Sequence, residues 1–490
     1  MAPRATTGLV VTALLLAALA PTAHASPHPG YRVPLDNPFV TTPGAQPEVY
    51  VRGMRNPYRW SFDSPTGDMY VADVGGNLRE EISYLPRAEI AGANLGWHCF
   101  EGTLVQKVCD PPNYFPPSHE YPSSPDVVIG GFVVHDADLP SFAGRYLYGR
   151  YDSGLWVVGP QAAGLATNVA AVGTGVTSIS QDAAGHLYVT TYDGPVYRLG
   201  ENAGALTLTQ IGVFERPVDL VSPAGDASEL FVVEKRGQVK LLSGGAVSDF
   251  LDISDKVQDE AYEEGLLGFI AAPDYASSGR VFAFYSDNNG DIQVDEYRRT
   301  ATGPDRSDPS TRKPLLTIRH RQGTHHHGGQ MNFGSDGYLY LSTGDGDLKV
   351  DPQNDAQRLD SLLGKILRID VRAGKADTRA PSLKAIVKSA QAVRRLGGAV
   401  VAAGCGERCR IAASGRVRIG GRAYPLRPAV LVPRGSRPAR TKLLLTPAAK
   451  RALKRALARD RAVSARIGLR AEDPTGNASK LVARTVRVTG

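Results

Sequence analysis

Short apolar runs separated by Pro, Asp and Gly turns recur along most of the chain. Each copy of the pattern has an apolar strand, a turn, a second strand ending near Leu-Tyr-Val, an Asp/Glu-x-Gly turn and a third strand. Six copies begin at Trp60, Gly130, Ser178, Asp219, Gly268 and Met331. A unit of short strands that repeats every roughly 40–70 residues is typical of a β-propeller. The pattern therefore predicts an all-β, six-bladed β-propeller; the alternative is an irregular β-sandwich with accidental internal similarity.

The sixth copy ends too early to complete a blade. After Ile369 and Asp370 the sequence turns into a basic region, so a fourth, outer strand is missing. Residues Glu48 to Val51, just before the first copy, are a candidate for that strand. Pairing them with the last copy would close the ring and leave no sheet edge exposed. We therefore predict one propeller over residues 31–373.

A second domain is expected after the propeller. Residues 374–385 have the composition of a linker, and short β-type runs follow. One helical pattern extends from Pro447 to Arg459, with Thr446 as the N-cap and Pro447 in the first turn. Asp473 to Asn477 have the residues of a hairpin turn. The pattern predicts a small immunoglobulin-like β-sandwich over residues 386–490.

The net charge of +7 hides a difference between these two regions. After Gly374 there are 27 Lys and Arg residues against 5 Asp and Glu, whereas the preceding part has 29 against 44. Such asymmetry supports two domains with different surfaces. The basic domain could bind an anionic cell-wall polymer or nucleic acid, or it could be an inert accessory domain. Because no aromatic residues alternate with the basic ones, base stacking on nucleic acid is not expected.

The N-terminus has the pattern of a secretory signal peptide over residues 1–25. A positive start is followed by the apolar run Gly8 to Ala20 and the cleavage pattern Ala23-His24-Ala25. No other run approaches the length of a membrane span. We therefore expect a secreted, extracellular protein without a membrane span.

Because an exported chain enters an oxidising compartment, its four cysteines can form disulfides. They form two local pairs, Cys99 with Cys109 and Cys405 with Cys409. An even number of cysteines in an oxidising compartment favours two disulfides. The alternative is a zinc site, but the two pairs lie in different predicted domains.

Three consecutive histidines, His325 to His327, stand just before the strand of the sixth copy. They could be metal ligands, a catalytic base with its neighbours, or polar residues at a solvated strand start. Adjacent histidines are poorly placed to share one zinc ion. In an extended segment, His325 and His327 would point away from His326.

Four stretches give the chain a resemblance to a known family. It resembles the soluble, quinone-dependent glucose/sorbosone dehydrogenase-like propellers, which include bacterial aldose sugar dehydrogenases and Hedgehog-interacting-protein-like propellers. The stretches are GMRNPYRWSFD from Gly53, ADVGGNLREEIS with NLGWHCFEG from Ala72, EEGLLGFIAAPDY from Glu263, and HHGGQMNFGSDGYLYLSTGDGD from His326.

The order of these stretches differs from that of the family. The GLLGF and HxGG stretches precede the RNP stretch in the family, but they follow it here. Residues 31–200 resemble the second half of such a propeller and residues 207–373 the first half. The chain therefore resembles a circular permutant, which a ring of blades tolerates because each blade keeps its neighbours. A fragment of a tandem duplication or an error in the gene model would give the same order.

The resemblance implies a site and cofactors. His326 would be the general base that takes the proton of a sugar's anomeric hydroxyl while hydride moves to pyrroloquinoline quinone (PQQ). Asp345 would orient His326, Arg55 and Asn56 would lie over substrate and quinone, and the carbonyls of Gly75 and Gly76 would hold calcium. From the residues alone, Asp345 could be a turn residue and Arg55 part of a structural salt bridge. Gly328 and Gly329 would let the backbone approach a planar cofactor.

The cationic side chains that bind the carboxylates of the quinone in the family are missing here. The family's lysine and two arginines fall on Asp152, Gly175 and Thr177, and losing charge pairs to a tricarboxylate should weaken binding. Arg145 and Arg150 lie near Asp152 in the sequence and could compensate.

The sequence is compatible with three functions. The first is an exported, calcium- and PQQ-dependent aldose dehydrogenase with a sugar substrate and a further electron acceptor. The second is a non-enzymatic propeller that binds carbohydrate or protein. The third is a calcium-dependent lactonase-type hydrolase, which needs carboxylate and amide side chains around a central calcium ion.

Overall fold

A computed structural model describes residues 30–124, 126–173, 175–300, 306–320, 323–346, 350–372, 382–405, 409–419, 421–433, 438–459, 461–472 and 479–489. The expected signal peptide and the expected turn at residues 473–477 lie outside these residues.

Six four-stranded antiparallel sheets form the first part of the chain, and they confirm the predicted six-bladed propeller. A first strand, β1 (Val49–Arg52), precedes the first blade. Blade 1 contains β2 (Arg59–Phe62), β3 (Met69–Asp73), β4 (Arg79–Leu85) and, after a small hairpin of β5 (Phe100–Glu101) and β6 (Leu104–Val105), β7 (His119–Pro122). Blade 2 contains β8 (Val128–Val133), β9 (Tyr146–Arg150), β10 (Gly154–Val158) and β11 (Thr167–Ala170).

The next two blades follow the same order. Blade 3 contains β12 (Val176–Gln181), β13 (Leu187–Thr191), β14 (Pro195–Asn202) and β15 (Ala205–Val213). Blade 4 contains β16 (Pro217–Val221), β17 (Glu229–Glu234), β18 (Gln238–Ser243) and β19 (Ala246–Asp252).

The last two blades complete the ring. Blade 5 contains β20 (Leu266–Ala271), the short helix α1 (Tyr275–Ser278), β21 (Arg280–Ser286), β22 (Ile292–Arg299) and β23 (Ser307–Ile318). Blade 6 contains β24 (Met331–Phe333), β25 (Leu339–Thr343), β26 (Lys365–Ile369) and β1. The first strands of adjacent blades lie side by side around the axis.

Strand β1 supplies the strand that the sixth sequence copy lacks, as predicted. It pairs antiparallel with β26, with Val51 opposite Ile366 and Arg52 opposite Lys365. The preceding segment also lies against β26, since Arg32 and Asp370 exchange backbone hydrogen bonds of 2.9 and 2.8 Å. The two ends of the propeller sequence are therefore joined in one blade.

Apolar side chains pack between neighbouring blades. Phe231 of blade 4 and Phe269 of blade 5 are buried in one cluster. Trp60 of blade 1 shares another with Tyr340 and Ile366 of blade 6. Each blade thus buries its apolar faces against the next one, which explains why the alternating pattern repeats.

The basic region forms a separate β domain with its own core. One sheet has the order β27 (Leu383–Ile386), β29 (Gly398–Cys405), β33 (Ala439–Leu444). The other sheet has the order β28 (Ala390–Gln391), β35 (Val482–Val488), β34 (Val463–Glu472), β30 (Arg410–Ile419), β31 (Arg422–Pro425), and β32 (Ala429–Leu431) also pairs with β30. The helices are α2 (Val393–Leu396) and α3 (Pro447–Leu457). The immunoglobulin-like assignment stays a prediction.

Two boundaries of this domain can now be compared with expectation. Helix α3 begins at Pro447, and the hydroxyl of Thr446 accepts a hydrogen bond from the Ala449 N–H, as predicted, but the helix ends at Leu457 rather than Arg459. The predicted linker over 374–385 is too long at its C-terminal end, because Leu383 already pairs with Cys405.

Both predicted disulfides are present, joining Cys99 to Cys109 and Cys405 to Cys409. In the part of the chain that the structure describes, no helix is long and apolar enough to cross a membrane.

Candidate active site

A cavity of about 330 Å³ lies on the propeller axis. Its lining residues come from the beginnings of the first strands and the ends of the second strands of blades 1 to 5. They are Asn56, Tyr58, Val74, Val127, Ile129, Tyr151, Val176, Thr177, Tyr192, Val218, Lys235, Tyr262, Glu263 and Leu267. The walls are thus mostly aromatic and aliphatic, with a few polar groups, which is typical of a small-molecule site.

His326 and Asp345, the predicted base and its orienting acid, are in direct contact. Nδ1 of His326 lies 2.6 Å from Oδ1 of Asp345, and both side chains are almost fully buried. The other oxygen of Asp345 accepts a hydrogen bond of 2.7 Å from the indole of Trp97. An ionised carboxylate only accepts, so Nδ1 of His326 carries a hydrogen and Nε2 is left to accept a proton.

The backbone at His326 is not extended, contrary to the expectation for this segment. Its φ angle is +57°, in the left-handed region that non-glycine residues rarely adopt. His327 is buried as well, and its ring stacks on that of His320 with centroids 3.9 Å apart. The three histidines therefore do not alternate as on a strand, and His326 has its own conformation.

Burial keeps the imidazole of His326 neutral. Desolvation, assisted by the positive charge of Arg55, lowers the pKa of His326 to about 3, and the carboxylate of Glu263 opposes this effect. Burial also lowers the pKa of His320 and of His327. At neutral pH, His326 is therefore already in the form that can accept a proton.

Glu263 connects His326 to the cavity. Its Oε2 accepts hydrogen bonds from the backbone N–H of His326 at 2.5 Å and from Nδ2 of Asn56 at 3.1 Å. The side-chain oxygen of Asn56 in turn accepts from the N–H of Gly328 at 3.1 Å. Both Glu263 and Asn56 line the cavity, whereas His326 lies behind them. Sequence reasoning missed Glu263, although it begins one of the stretches that carry the family resemblance.

Arg55 lies beside this group but does not line the cavity, so its predicted place over substrate and quinone stays a prediction. Its backbone N–H donates to Asp73 Oδ2 at 2.9 Å, and its guanidinium lies 5.7 Å from the ring of Trp97. The N–H of Asn56 donates to the other oxygen of Asp73 at 2.7 Å. Burial raises the pKa of Asp73 to about 7, and these two hydrogen bonds limit the rise.

The loop expected to hold calcium has other partners. Nη1 of Arg55 donates to the carbonyl of Gly75 at 2.6 Å, so a cationic side chain already occupies this oxygen. The N–H groups of Gly76, Asn77, Leu78 and Arg79 all donate to one oxygen of Glu101. A calcium ion at Gly75 would compete with Arg55 for this oxygen. The assignment of Gly75 and Gly76 as calcium ligands stays a prediction.

Gly328 and Gly329 are required for packing. Both have positive φ angles, of +72° and +130°. A Cβ on Gly328 would lie 2.7 Å from the carbonyl oxygen of Ser342, and one on Gly329 would lie 2.7 Å from Cβ of Leu267. These contacts explain the glycines without a cofactor.

The cavity has little positive charge for a tricarboxylate. Of the three positions where the family has cations, only Thr177 lines the cavity, and Asp152 and Gly175 do not. Arg150 does not compensate, because its guanidinium lies between the rings of Tyr121 and Trp156 at 3.6 and 3.7 Å, and Arg145 is also outside the lining.

Lys235 is the one cationic side chain among the described lining residues. Its Nζ donates to the carbonyls of Asp259 and Ala261, both at 2.8 Å. Burial lowers the pKa of Lys235. The cavity therefore combines aromatic walls with one cation that already has two carbonyl partners.

Among the described residues that line the cavity, no cluster of metal-ligating side chains of the kind that a lactonase needs is found. Among the described residues, one group of side chains has suitable spacing, namely Asp136, Asp138 and His186. None of them lines the cavity, and Arg198 forms ion pairs with both aspartates at 3.0 and 2.9 Å. This arrangement gives the hydrolase alternative no support.

Known proteins similar to this chain point to one family. The model of the Glucose / Sorbosone dehydrogenase family matches residues 28–198 and 214–393. The mouse Hedgehog-interacting protein is 32% identical over 173 residues, which cover 32% of this chain and 24% of that protein. The Arabidopsis thaliana HIPL1 protein is 33% identical over 171 residues, covering 26% of this chain and 24% of that protein. The matched part thus spans about a quarter of these relatives, at 24%.

Two solved structures share sequence with part of the chain. An oxidoreductase described as a glucose dehydrogenase from Thermus thermophilus is 30% identical, covering 32% of this chain and 43% of that one with a TM-score of 0.27. A PQQ-bound aldose sugar dehydrogenase from Streptomyces coelicolor is 26% identical, covering 31% and 43% with a TM-score of 0.27. These TM-scores are too low to add to the sequence match. Because the family model covers well over half of the 490 residues, the chain belongs to the Glucose / Sorbosone dehydrogenase family.

Proposed function

We propose that the protein is an exported aldose dehydrogenase in which His326 removes the proton of a sugar's anomeric hydroxyl. The observation that carries this proposal is the buried pair of His326 and Asp345, 2.6 Å apart, directly behind two residues that line the axial cavity. Membership of the Glucose / Sorbosone dehydrogenase family supplies the class of substrate.

In this proposal, each residue of the site has a separate role in proton removal. Asp345 fixes the ring of His326 through Nδ1, so that Nε2 accepts the proton. The imidazolium that forms is stabilised by Asp345 and by Glu263, whose charge opposes the lowering of the pKa of His326. Glu263 and Asn56 also offer hydrogen-bonding groups to sugar hydroxyls at the cavity wall.

The family implies PQQ as the hydride acceptor. When bound, the quinone would accept the hydride that leaves the anomeric carbon. Tyr58, Tyr151, Tyr192 and Tyr262 would pack on its planar rings, and Lys235 would face a carboxylate. The test is made with and without calcium, because Arg55 already donates to the carbonyl of Gly75 that the family resemblance assigns to the metal.

Reconstitution tests the proposal. Purified protein would be titrated with PQQ, with and without calcium, and dye reduction would be recorded with a panel of aldoses. We expect saturable quinone binding and sugar-dependent turnover that His326→Ala abolishes. The control His186→Ala changes a half-exposed histidine outside the cavity and should leave turnover unchanged. Quinone binding without turnover by any aldose would contradict the dehydrogenase assignment.

A second candidate is a non-enzymatic propeller that binds carbohydrate or protein. One observation favours it: the cavity has a carboxylate, Glu263, and one cation already bonded to two carbonyls, where a tricarboxylate needs several free cations. Among the relatives is a protein named for an interaction, the Hedgehog-interacting protein. Absence of quinone binding at micromolar concentration, together with sugar binding in the same cavity, would establish this alternative.

A further inference from the structure

One face of the larger sheet in the C-terminal domain has five exposed arginines. They are Arg416 and Arg418 on β30, Arg466 and Arg470 on β34, and Arg487 on β35. The strand register places all five on the same side, because Arg416 lies opposite Arg466 and Ser464 lies opposite both Arg418 and Arg487. The alternate residues, such as Val417, Ile467 and Val486, are buried in the domain core.

Small side chains separate these arginines. On β30 the same face has Ala412 and Ser414, and on β34 it has Ser464 and Gly468. Leu481 is an exception, because its Cδ1 lies 3.2 Å from where a Cβ on Gly468 would be, so an exposed apolar side chain covers part of this face. Arg416 and Arg466 are about 5 Å apart across strands and Arg416 and Arg418 about 7 Å apart along one strand, whereas Arg466 and Arg470 are about 13 Å apart along theirs.

The arrangement is electrostatically unfavourable by itself. Like charges directly opposite each other on a sheet, as Arg416 and Arg466 are, destabilise the pair. The register places Glu472 of β34 opposite Arg410 at one end of this face, and no other described position between residues 382 and 489 is acidic, so the five arginines outnumber the acidic positions described in the domain. An external polyanion would remove this repulsion.

The chemistry of the face indicates what kind of polyanion fits. A guanidinium binds the two free oxygens of a phosphodiester through paired hydrogen bonds. The single aromatic residue described in the domain, Tyr424, lies opposite the buried Val417 and so belongs to the other face. Without aromatic rings on the arginine face, bases have nothing to stack on.

We propose that this arginine face binds an extended polyol-phosphate polymer, a thin chain of phosphodiesters without aromatic groups. The repeated charges of the face match the repeated phosphates of such a chain, and the small residues Ala412 and Ser414 leave room for it beside the arginines of β30. The inference is independent of the axial cavity and of the dehydrogenase proposal.

The test uses the full chain and a synthetic glycerol-phosphate oligomer of about ten repeats. Binding would be measured at several salt concentrations, and five phosphate contacts predict a slope of log K against log salt of about −3.5. A variant with all five arginines of the face changed to glutamine should bind at least about thirty-fold more weakly at low salt. Its circular dichroism and Tm should match the parent, because removing like-charge contacts does not destabilise the sheet.

A matched control removes the same charge elsewhere. Arg422, Arg455, Arg459 and Arg461 surround a separate cavity of about 250 Å³ beside α3. Changing these four and Lys454 to glutamine should leave oligomer binding within about two-fold of the parent, since none of these five residues is among the arginines of the face. An equal loss in the control would overturn the assignment to the sheet face. Tighter binding of a single-stranded oligonucleotide or of polyglutamate than of the glycerol-phosphate oligomer would overturn the assigned chemistry.

Discussion

Trp97 donates its indole N–H to Oδ2 of Asp345 over 2.7 Å, although 248 residues separate the two in the sequence. The carbonyl of Trp97 accepts from Gln357 at 2.6 Å, and Gln357 and Asn94 exchange amide hydrogen bonds of 2.8 and 2.9 Å. Asp345 is therefore fixed through Trp97 by a partly buried amide pair. Orientation of His326 depends on residues of blade 1 and of the loop before β26.

Replacing Trp97 with phenylalanine tests this dependence. The change removes one hydrogen bond to a carboxylate, which contributes roughly 1.5–3 kcal/mol, and lets Asp345 rotate. We expect kcat to fall by about ten-fold to a hundred-fold, with quinone affinity nearly unchanged. Trp156→Phe is the control, since its indole donates only to Ser153 outside the cavity. An unchanged kcat in Trp97→Phe would show that Asp345 needs no such support.

The pH dependence of activity follows from the low pKa of His326. Its pKa of about 3 means that the imidazole becomes protonated, and so loses its function as a base, only as the pH falls towards 3. We expect kcat/KM for the sugar to be constant from neutral pH down to about pH 4. An acidic limb centred near 6.5, the ordinary value for histidine, would contradict the burial of His326 in the working enzyme.

Stability should also depend on pH, through Glu80. Burial raises the pKa of Glu80 from 4.5 to about 7 in the folded protein. Between these values the folded state binds a proton that the unfolded chain has released, so stability falls as pH rises from about 4.5 to 7. The contribution is on the order of 3 kcal/mol.

The variant Glu80→Gln removes this contribution. We expect its Tm, relative to that of the parent, to be higher at pH 8 than at pH 5. Glu229→Gln, at a half-buried position on blade 4, serves as the control. Parallel pH profiles of the parent and Glu80→Gln would contradict the shift.

The two disulfides should differ in their effect on the site. Cys99 lies two residues after Trp97, so changing Cys99 and Cys109 to serine should lower stability by about 2–4 kcal/mol and reduce turnover as well. The corresponding change at Cys405 and Cys409 affects the C-terminal domain and should leave turnover unchanged. Equal turnover in both variants would show that the loop after Trp97 does not hold the site.

The order of the family stretches predicts that the propeller still folds when its two ends are joined and the chain is opened between two other blades. Arg32 and Asp370 already exchange two backbone hydrogen bonds, so a short linker from residue 372 to residue 31 should fit. The chain would be opened between β15 and β16, where blade 3 meets blade 4. A protein running from 215 to 372 and then from 31 to 214 should fold and keep quinone affinity. Failure to fold, while the same linker is tolerated elsewhere, would contradict the permutation.

The sequence allowed the ring to be predicted because each blade repeats one local pattern. Even the closing strand was evident from the incomplete sixth copy. The site was only partly predictable. His326, Asp345 and Arg55 were found through the family resemblance, and the structure brings them together.

What the sequence could not indicate were contacts between distant segments. Glu263 reaches His326 from blade 5, and Trp97 reaches Asp345 from blade 1. The hydrogen bond between Arg55 and the Gly75 carbonyl also depends on how two loops meet. Such pairings leave no periodic signal, because they are set by the curvature of the ring rather than by neighbours in the sequence.

The strand β1 leaves the ribosome first among the blade strands, whereas its partner β26 is made last. Until β26 is synthesised, β1 has no sheet to join and blade 6 does not exist. In a chain that stops early, the strand edges of the incomplete ring therefore stay unpaired and exposed, and chaperones and proteases can bind them. Because β1 pairs with β26, the ring can close only after the whole propeller has been translated.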